Sequence, residues 1–234
     1  KLKKKCVAVI VTSDKCYKNL EQKKGYTEDD ILGGIDPYSA SKASAEILFK
    51  SYFKTFIEKK NKNIRVCTAR AGNVIGGGDW SDNRLIPDCM KMWLNEKKPI
   101  IRSPYSTRPW QHVLEAINGY LILSIKLKKN KFLNGSSFNF SSDKIKNLTV
   151  VEFLREIKNN WPEINWKIIK KKSFYESSLL QLNNKKAKKV LKWTAKLNFR
   201  ETVRYLVDWY KEFKKNEKNI YKTSKKQIIN FINK

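Results

Sequence analysis

Six consecutive apolar residues, Cys6-Val7-Ala8-Val9-Ile10-Val11, end on Thr12-Ser13-Asp14-Lys15. A short run rich in β-branched residues and without polar alternation predicts a parallel strand buried on both faces, and with it an α/β fold. Reacting groups in open α/β sheets gather where strands end, the place taken by Thr12 to Lys15. After a polar connection over 16–36, Pro37 opens a helix predicted to run to about 60. Ala40, Ala43, Ile47, Leu48, Tyr52 and Phe56 recur along it at helical spacing. Tyr38 and Lys42 stand four residues apart on one face of that helix. An ammonium one turn from a phenol stabilises the phenolate, which suits the pair to holding a ribose and moving a proton.

Tyr-x-x-x-Lys is a weak pattern by itself in a chain with 42 lysines. Further elements supply its context. Ile64 to Ala69 reads as the next strand, and the loop 70–83 gathers Gly72, Gly76, Gly77 and Gly78, a density that permits close backbone approach to a ligand. Helices near 85–96 and 113–128 and strands at 99–102 and 137–140 follow. Thr149 and Glu152 have capping-box spacing and open a helix to about 161. Residues 164–169 alternate like a strand with one exposed face. Helices over 185–191 and from 199 to about 218 precede a tail, 220–234, whose pattern gives no clear element.

With Ser13, Asp14, Lys15, Tyr38 and Lys42 in this order, the chain resembles the extended short-chain dehydrogenase/reductase family, and within it the sugar-nucleotide 4,6-dehydratases. Lysine at position 15, where other dehydratases carry glutamate, is similar to the branch acting on CDP-glucose. The same resemblance extends through Ala69-Arg70-Ala71-Gly72-Asn73-Val74-Ile75-Gly76-Gly77-Gly78-Asp79-Trp80, Arg84-Leu85-Ile86-Pro87-Asp88 and Arg108-Pro109-Trp110-Gln111-His112-Val113, and reaches about residue 215. It implies NAD as cofactor, held at Tyr38, Lys42 and Ala71. Catalysis would fall to Ser13, Asp14, Lys15, Tyr38 and Lys42. A nucleotide-sugar substrate would meet Asn73, Arg84, Arg102, Arg108 and Glu176, arginine being suited to bidentate pairing with phosphate. A homodimer or homotetramer is the implied assembly. The nearest alternatives are an epimerase or decarboxylase of the same superfamily, or a non-catalytic basic binding fragment.

Such enzymes begin with a strand and a Gly-rich turn that receives the cofactor pyrophosphate at a helix N-terminus. No G-x-G-x-x-G occurs here. The expected fold is therefore the C-terminal part of a Rossmann-like doubly wound parallel sheet, lacking its N-terminal βαβ dinucleotide half, plus a smaller mixed α/β substrate-binding lobe. Residues 1–82 would form the remainder of the Rossmann-like domain and 83–219 mainly the lobe, with 108–141 returning to the sheet and 220–234 a tail. Alone, such a portion is expected to be inactive.

Composition narrows the partners. A net charge of +28 over 234 residues invites nucleic acid, but it rests on 42 Lys against 8 Arg, spread along the chain. Base-reading sites favour Arg, and A/T-rich codons favour Lys, Asn and Ile together, so no specific nucleic-acid partner is expected. No apolar run approaches the ~20 residues of a membrane span. Four cysteines without a C-x-x-C pair and a single histidine support neither a metal site nor a disulfide framework. A cytoplasmic enzyme with no membrane partner is the expectation.

Overall fold

The computed structural model describes residues 4–22, 24–59, 63–145, 148–169 and 180–234. Contacts divide the chain into two compact units: Lys1–Asn73, Ala116–Asp143 and Leu179–Ala195 form the first, and Val74–Glu115, Lys144–Ser178 and Lys196–Lys234 the second.

The first unit is built on three parallel strands in the order β1-β2-β7: β1 (Cys6–Val11), β2 (Ile64–Ala71) and β7 (Ser137–Phe140). Cys6 pairs with Ile64 and Val11 with Ala69, while Thr68 pairs with Ser137 and Ala71 with Phe140. The two-residue period of β2 separates its faces. Cys67 and Ala69 pack with Leu123 and Leu127 of helix α3 (Val113–Lys129), with Phe138, Phe140 and Trp193 completing that core. Val66 packs with Phe49 and Phe53, at the end of helix α1 (Pro37–Tyr52). The doubly covered β2 is thus the buried parallel strand that the α/β reading requires.

Strand β1 departs from the expected burial on both faces. Ile10 is 41% and Val11 53% exposed, because β1 is an edge strand whose described neighbour lies on one side only. Helix α1 departs as well. Asp36 caps it, accepting from the amides of Tyr38 and Ser39, each at 3.0 Å. Its buried face is Ser39, Ala43, Glu46 and Phe49, while Ile47, Leu48 and Tyr52, together with Phe56 just beyond it, lie at least half exposed.

In the second unit, helices α2 (Leu85–Leu94), α4 (Val150–Asn160) and α5 (Phe199–Lys215) share one core through Met90, Trp93, Phe153, Leu154, Ile157, Leu206 and Tyr210. Short strands edge it: β3 (Asn73–Ile75) pairs with β6 (Trp110–His112), β4 (Ile100–Ile101) with β9 (Lys167–Ile168), and β5 (Thr107–Arg108) with β8 (Leu148–Thr149). The alternating segment 164–169 yields only the two residues of β9. The expected capping box closes the start of α4, with Thr149 and Glu152 each answering the other's amide. Helix α5 stops at Lys215, and the tail adds a helix of its own, α6 (Ile220–Ile232). Gly77 runs flat against Trp209, where an added Cβ would lie 2.0 Å from the indole Cγ. No described helix is long and apolar enough to cross a membrane.

His112 ends β6 at 2% exposure, T-stacked on Tyr205 with ring centroids 5.5 Å apart. Its Nδ1 accepts the Leu114 amide at 3.2 Å. Burial lowers its pKa from 6.5 to about 4. The unfolded chain therefore binds the proton more readily, so this stability is present above pH 6.5 and is lost as the pH falls toward 4. Between pH 7 and 4 the protein should lose about 3 kcal/mol more unfolding free energy than a His112→Gln variant, measured by denaturant titration at each pH. Equal losses would show that His112 is not held neutral.

Candidate functional site

Strand β1 ends on a single 3₁₀ turn, Asp14–Cys16, capped by Ser13. The Ser13 hydroxyl accepts the Lys15 amide at 3.1 Å and donates to Asp14 Oδ1 at 2.8 Å. Asp14 is 3% exposed, and its Oδ2 has no hydrogen-bond partner. Burial raises its pKa above the ordinary carboxyl value, against the opposing pull of the Lys15 charge and the Ser13 hydroxyl. A buried carboxyl with a raised pKa and one free oxygen is suited to donating a proton. Cys16 is fully buried, which pushes its thiol up to about 12, the opposite of an activated nucleophile.

Tyr38 and Lys42 lie in the first turns of α1, with Tyr38 53% exposed and Lys42 Nζ 5.6 Å from the phenol ring centroid. Helix and strand end are joined one residue before Ser13, where Thr12 donates to Glu46 Oε1 of α1 at 2.5 Å. Ala71 is buried at the end of β2, and Asn73 opens β3. The unit thus gathers Ser13, Asp14, Lys15 and Ala71 at the carboxyl ends of adjacent parallel strands, the ligand-binding edge of open α/β sheets.

The expected phosphate-binding residues belong to the second unit. Arg84 is exposed, 3.7 Å from Asp79, and Arg102 is exposed. Arg108 is half-buried and donates to the Thr107 carbonyl at 2.7 Å. Glu176 lies outside the described residues.

Glu46, Arg70, Tyr17 and Asn139 form a buried polar network beside this site that pattern reading misses. An arginine set between Ala69 and Ala71 at the end of an expected buried strand is the one signal of it in the sequence.

The whole span 1–206 matches the model of the family described as GDP-mannose 4,6 dehydratase. The chain belongs to that family. Among 4,6-dehydratase relatives, the CDP-glucose 4,6-dehydratase of Salmonella typhimurium is 36% identical over 230 residues, covering 96% of this chain and 63% of the relative. The dTDP-glucose 4,6-dehydratase of Bacillus anthracis, solved in complex with NAD, superposes with a TM-score of 0.72 at 24% identity, covering 92% of this chain and 64% of that one. A UDP-glucuronic acid 4-epimerase from Bacillus cereus superposes with a TM-score of 0.71 at 16% identity, covering 88% and 62%. The chain therefore spans a little under two thirds of the length of these dehydratase and epimerase relatives. Both superpositions agree with the Rossmann-like reading of the fold.

Proposed function

We propose that the chain carries the catalytic and substrate-binding parts of a sugar-nucleotide 4,6-dehydratase that converts CDP-glucose to CDP-4-keto-6-deoxyglucose. The observation that carries this reading is the Ser13-Asp14-Lys15 turn, with Asp14 buried and raised in pKa, fastened through Thr12 and Glu46 beside the helix of Tyr38 and Lys42. An epimerase needs the tyrosine, lysine and serine but has no use for a second acid and base directly after the serine. The identity to a CDP-glucose enzyme favours CDP over other nucleotides.

Elimination of water from a hexose is slow because C5–H is not acidic. A ketone at C4 acidifies that proton and makes the C6 hydroxyl a β-leaving group. NAD, held by Tyr38, Lys42 and Ala71, would supply the reversible oxidation of C4 and the later reduction of C6. The exposed face of Tyr38 and the free Asp14 oxygen at the sheet's carboxyl edge fit a nicotinamide riboside and a sugar there. Tyr38 takes the O4 proton, with Ser13 and Lys42 assisting. Lys15, as the neutral amine, removes the C5 proton and becomes the ammonium, and Asp14 gives its proton to the departing C6 hydroxyl, which leaves as water. Asn73, Arg84, Arg102, Arg108 and Glu176 hold the nucleotide diphosphate.

The open edge of β1 supports a further element of the proposal. Its uncovered Ile10 and Val11 suit additional strands that carry the Gly-rich turn in a longer polypeptide. The exposed Ile47, Leu48, Tyr52 and Phe56 suit a subunit contact in a homodimer or homotetramer. Incubating the intact enzyme with NAD and CDP-, UDP- or dTDP-glucose in parallel tests the reading. The expected product is the dehydrated 4-ketone, formed fastest from the CDP sugar. An epimer of unchanged mass would support the epimerase reading, and no conversion would support a binding fragment.

A further inference from the structure

Glu46 belongs to no motif described above, yet it is fully buried. Its Oε1 accepts from Thr12 at 2.5 Å, and its Oε2 accepts from Arg70 Nη2 at 2.7 Å, Thr68 at 2.9 Å and Ser137 at 3.3 Å. Arg70, equally buried, donates through Nη1 to the Tyr17 hydroxyl at 2.7 Å, and Tyr17 donates to Asn139 at 2.8 Å. Burial alone would raise the Glu46 carboxyl, but the Arg70 hydrogen bond and charge, with the Thr12 and Thr68 hydroxyls, hold it below its ordinary value. One carboxylate on α1 therefore reaches the end of β1, the middle of β2 and the start of β7.

Stability alone does not account for this arrangement. Burying two charges is costly, and apolar residues of the same volume often serve a fold as well or better. What an ionic, multiply hydrogen-bonded contact supplies, and an apolar one does not, is a single fixed geometry. Here the geometry fixed is that of two chemical elements. Glu46 lies one turn beyond Lys42 and two beyond Tyr38, and Thr12 immediately precedes Ser13-Asp14-Lys15.

We infer that Glu46, oriented by Arg70 and bonded to Thr12, is a positioning residue that sets the helix of Tyr38 and Lys42 against the strand end of Ser13, Asp14 and Lys15. The inference rests on the proposed function for its catalytic meaning. Displacement of a reacting group by about 1 Å can cost on the order of 10²-fold in rate.

The test uses the intact enzyme and the link at residue 12, because removing Glu46 alone strands a buried Arg70. Thr12→Val deletes only the hydroxyl, and Thr12→Ser keeps it. The expected result for Thr12→Val is a roughly 10-fold lower kcat for conversion of CDP-glucose to the 4-keto product, with KM within twofold, and Thr12→Ser restored to the parent rate. Hydrogen exchange should quicken together at the amides of 13–17 and 38–42 in Thr12→Val, with the midpoints of thermal unfolding alike. A double variant, Glu46→Leu with Arg70→Met, removes both charges without leaving either unpaired and should lower kcat about 10²-fold while remaining folded. Parent-like kcat and exchange in folded Thr12→Val would overturn the inference, as would quickened exchange throughout the unit. If the parent enzyme dehydrates no sugar nucleotide, the functional reading fails, and paired exchange at 13–17 and 38–42 still decides whether the link positions them.

Discussion

Tyr38→Phe in the intact enzyme should suppress the whole reaction, lowering nicotinamide reduction in a single turnover by about 10²–10⁴-fold, the usual contribution of a positioned general base. Phenylalanine keeps the ring beside Lys42, whose ammonium lies 5.6 Å from its centroid, and removes only the hydroxyl. Binding of the sugar nucleotide should therefore change little. Because every later step needs the C4 ketone, exchange of the C5 proton with solvent should vanish to the same extent. Retained reduction in this variant would remove Tyr38 from the role proposed for it.

The second large effect separates elimination from oxidation. Asp14→Asn leaves Tyr38, Lys42 and Ser13 in place and keeps a group of the same size where Asp14 accepts the Ser13 hydroxyl at 2.8 Å. It removes the ionisable carboxyl whose pKa burial raises, and with it the proton that side chain can donate. Reduced nicotinamide should form at near the parent rate and then accumulate, with elimination slowed about 10²–10⁴-fold. The sign with pH follows from the raised carboxyl. The acid form is active, so elimination by the parent enzyme falls as the pH rises through the Asp14 pKa, and the asparagine variant lacks that limb. Rapid-scan absorbance of the reduced cofactor, with mass analysis of quenched samples, reads both quantities. Loss of reduction as complete as in Tyr38→Phe would mean that Asp14 serves binding or architecture.

Much of this was legible in the chain. The apolar run before Thr12, the Pro37 start of α1, the Thr149–Glu152 capping box and the strand at 137–140 are local patterns with local causes, and the structure has each of them. What escaped depends on neighbours. Apolar periodicity assigned the inward face of α1 to Ile47, Leu48, Tyr52 and Phe56, whereas that face runs through Ser39, Ala43, Glu46 and Phe49. A periodicity scan scores glutamate as solvent-facing, and only the arginine on the adjoining strand makes its burial tolerable. In the same way, nothing in Cys6 to Val11 reveals whether a strand lies on each side of it. The arginines at 84, 102 and 108 rest on the family resemblance, which names residues but not their geometry.

In the proposed reaction one hydrogen moves from C4 to C6 of the same sugar while water leaves. CDP-glucose carrying deuterium at C4, turned over by the intact enzyme in ordinary water with a catalytic amount of NAD, tests it directly. The expected product is a 4-keto-6-deoxy sugar nucleotide with the deuterium on C6. Deuterium retained at C4, or a product that has kept its C6 hydroxyl, would contradict it.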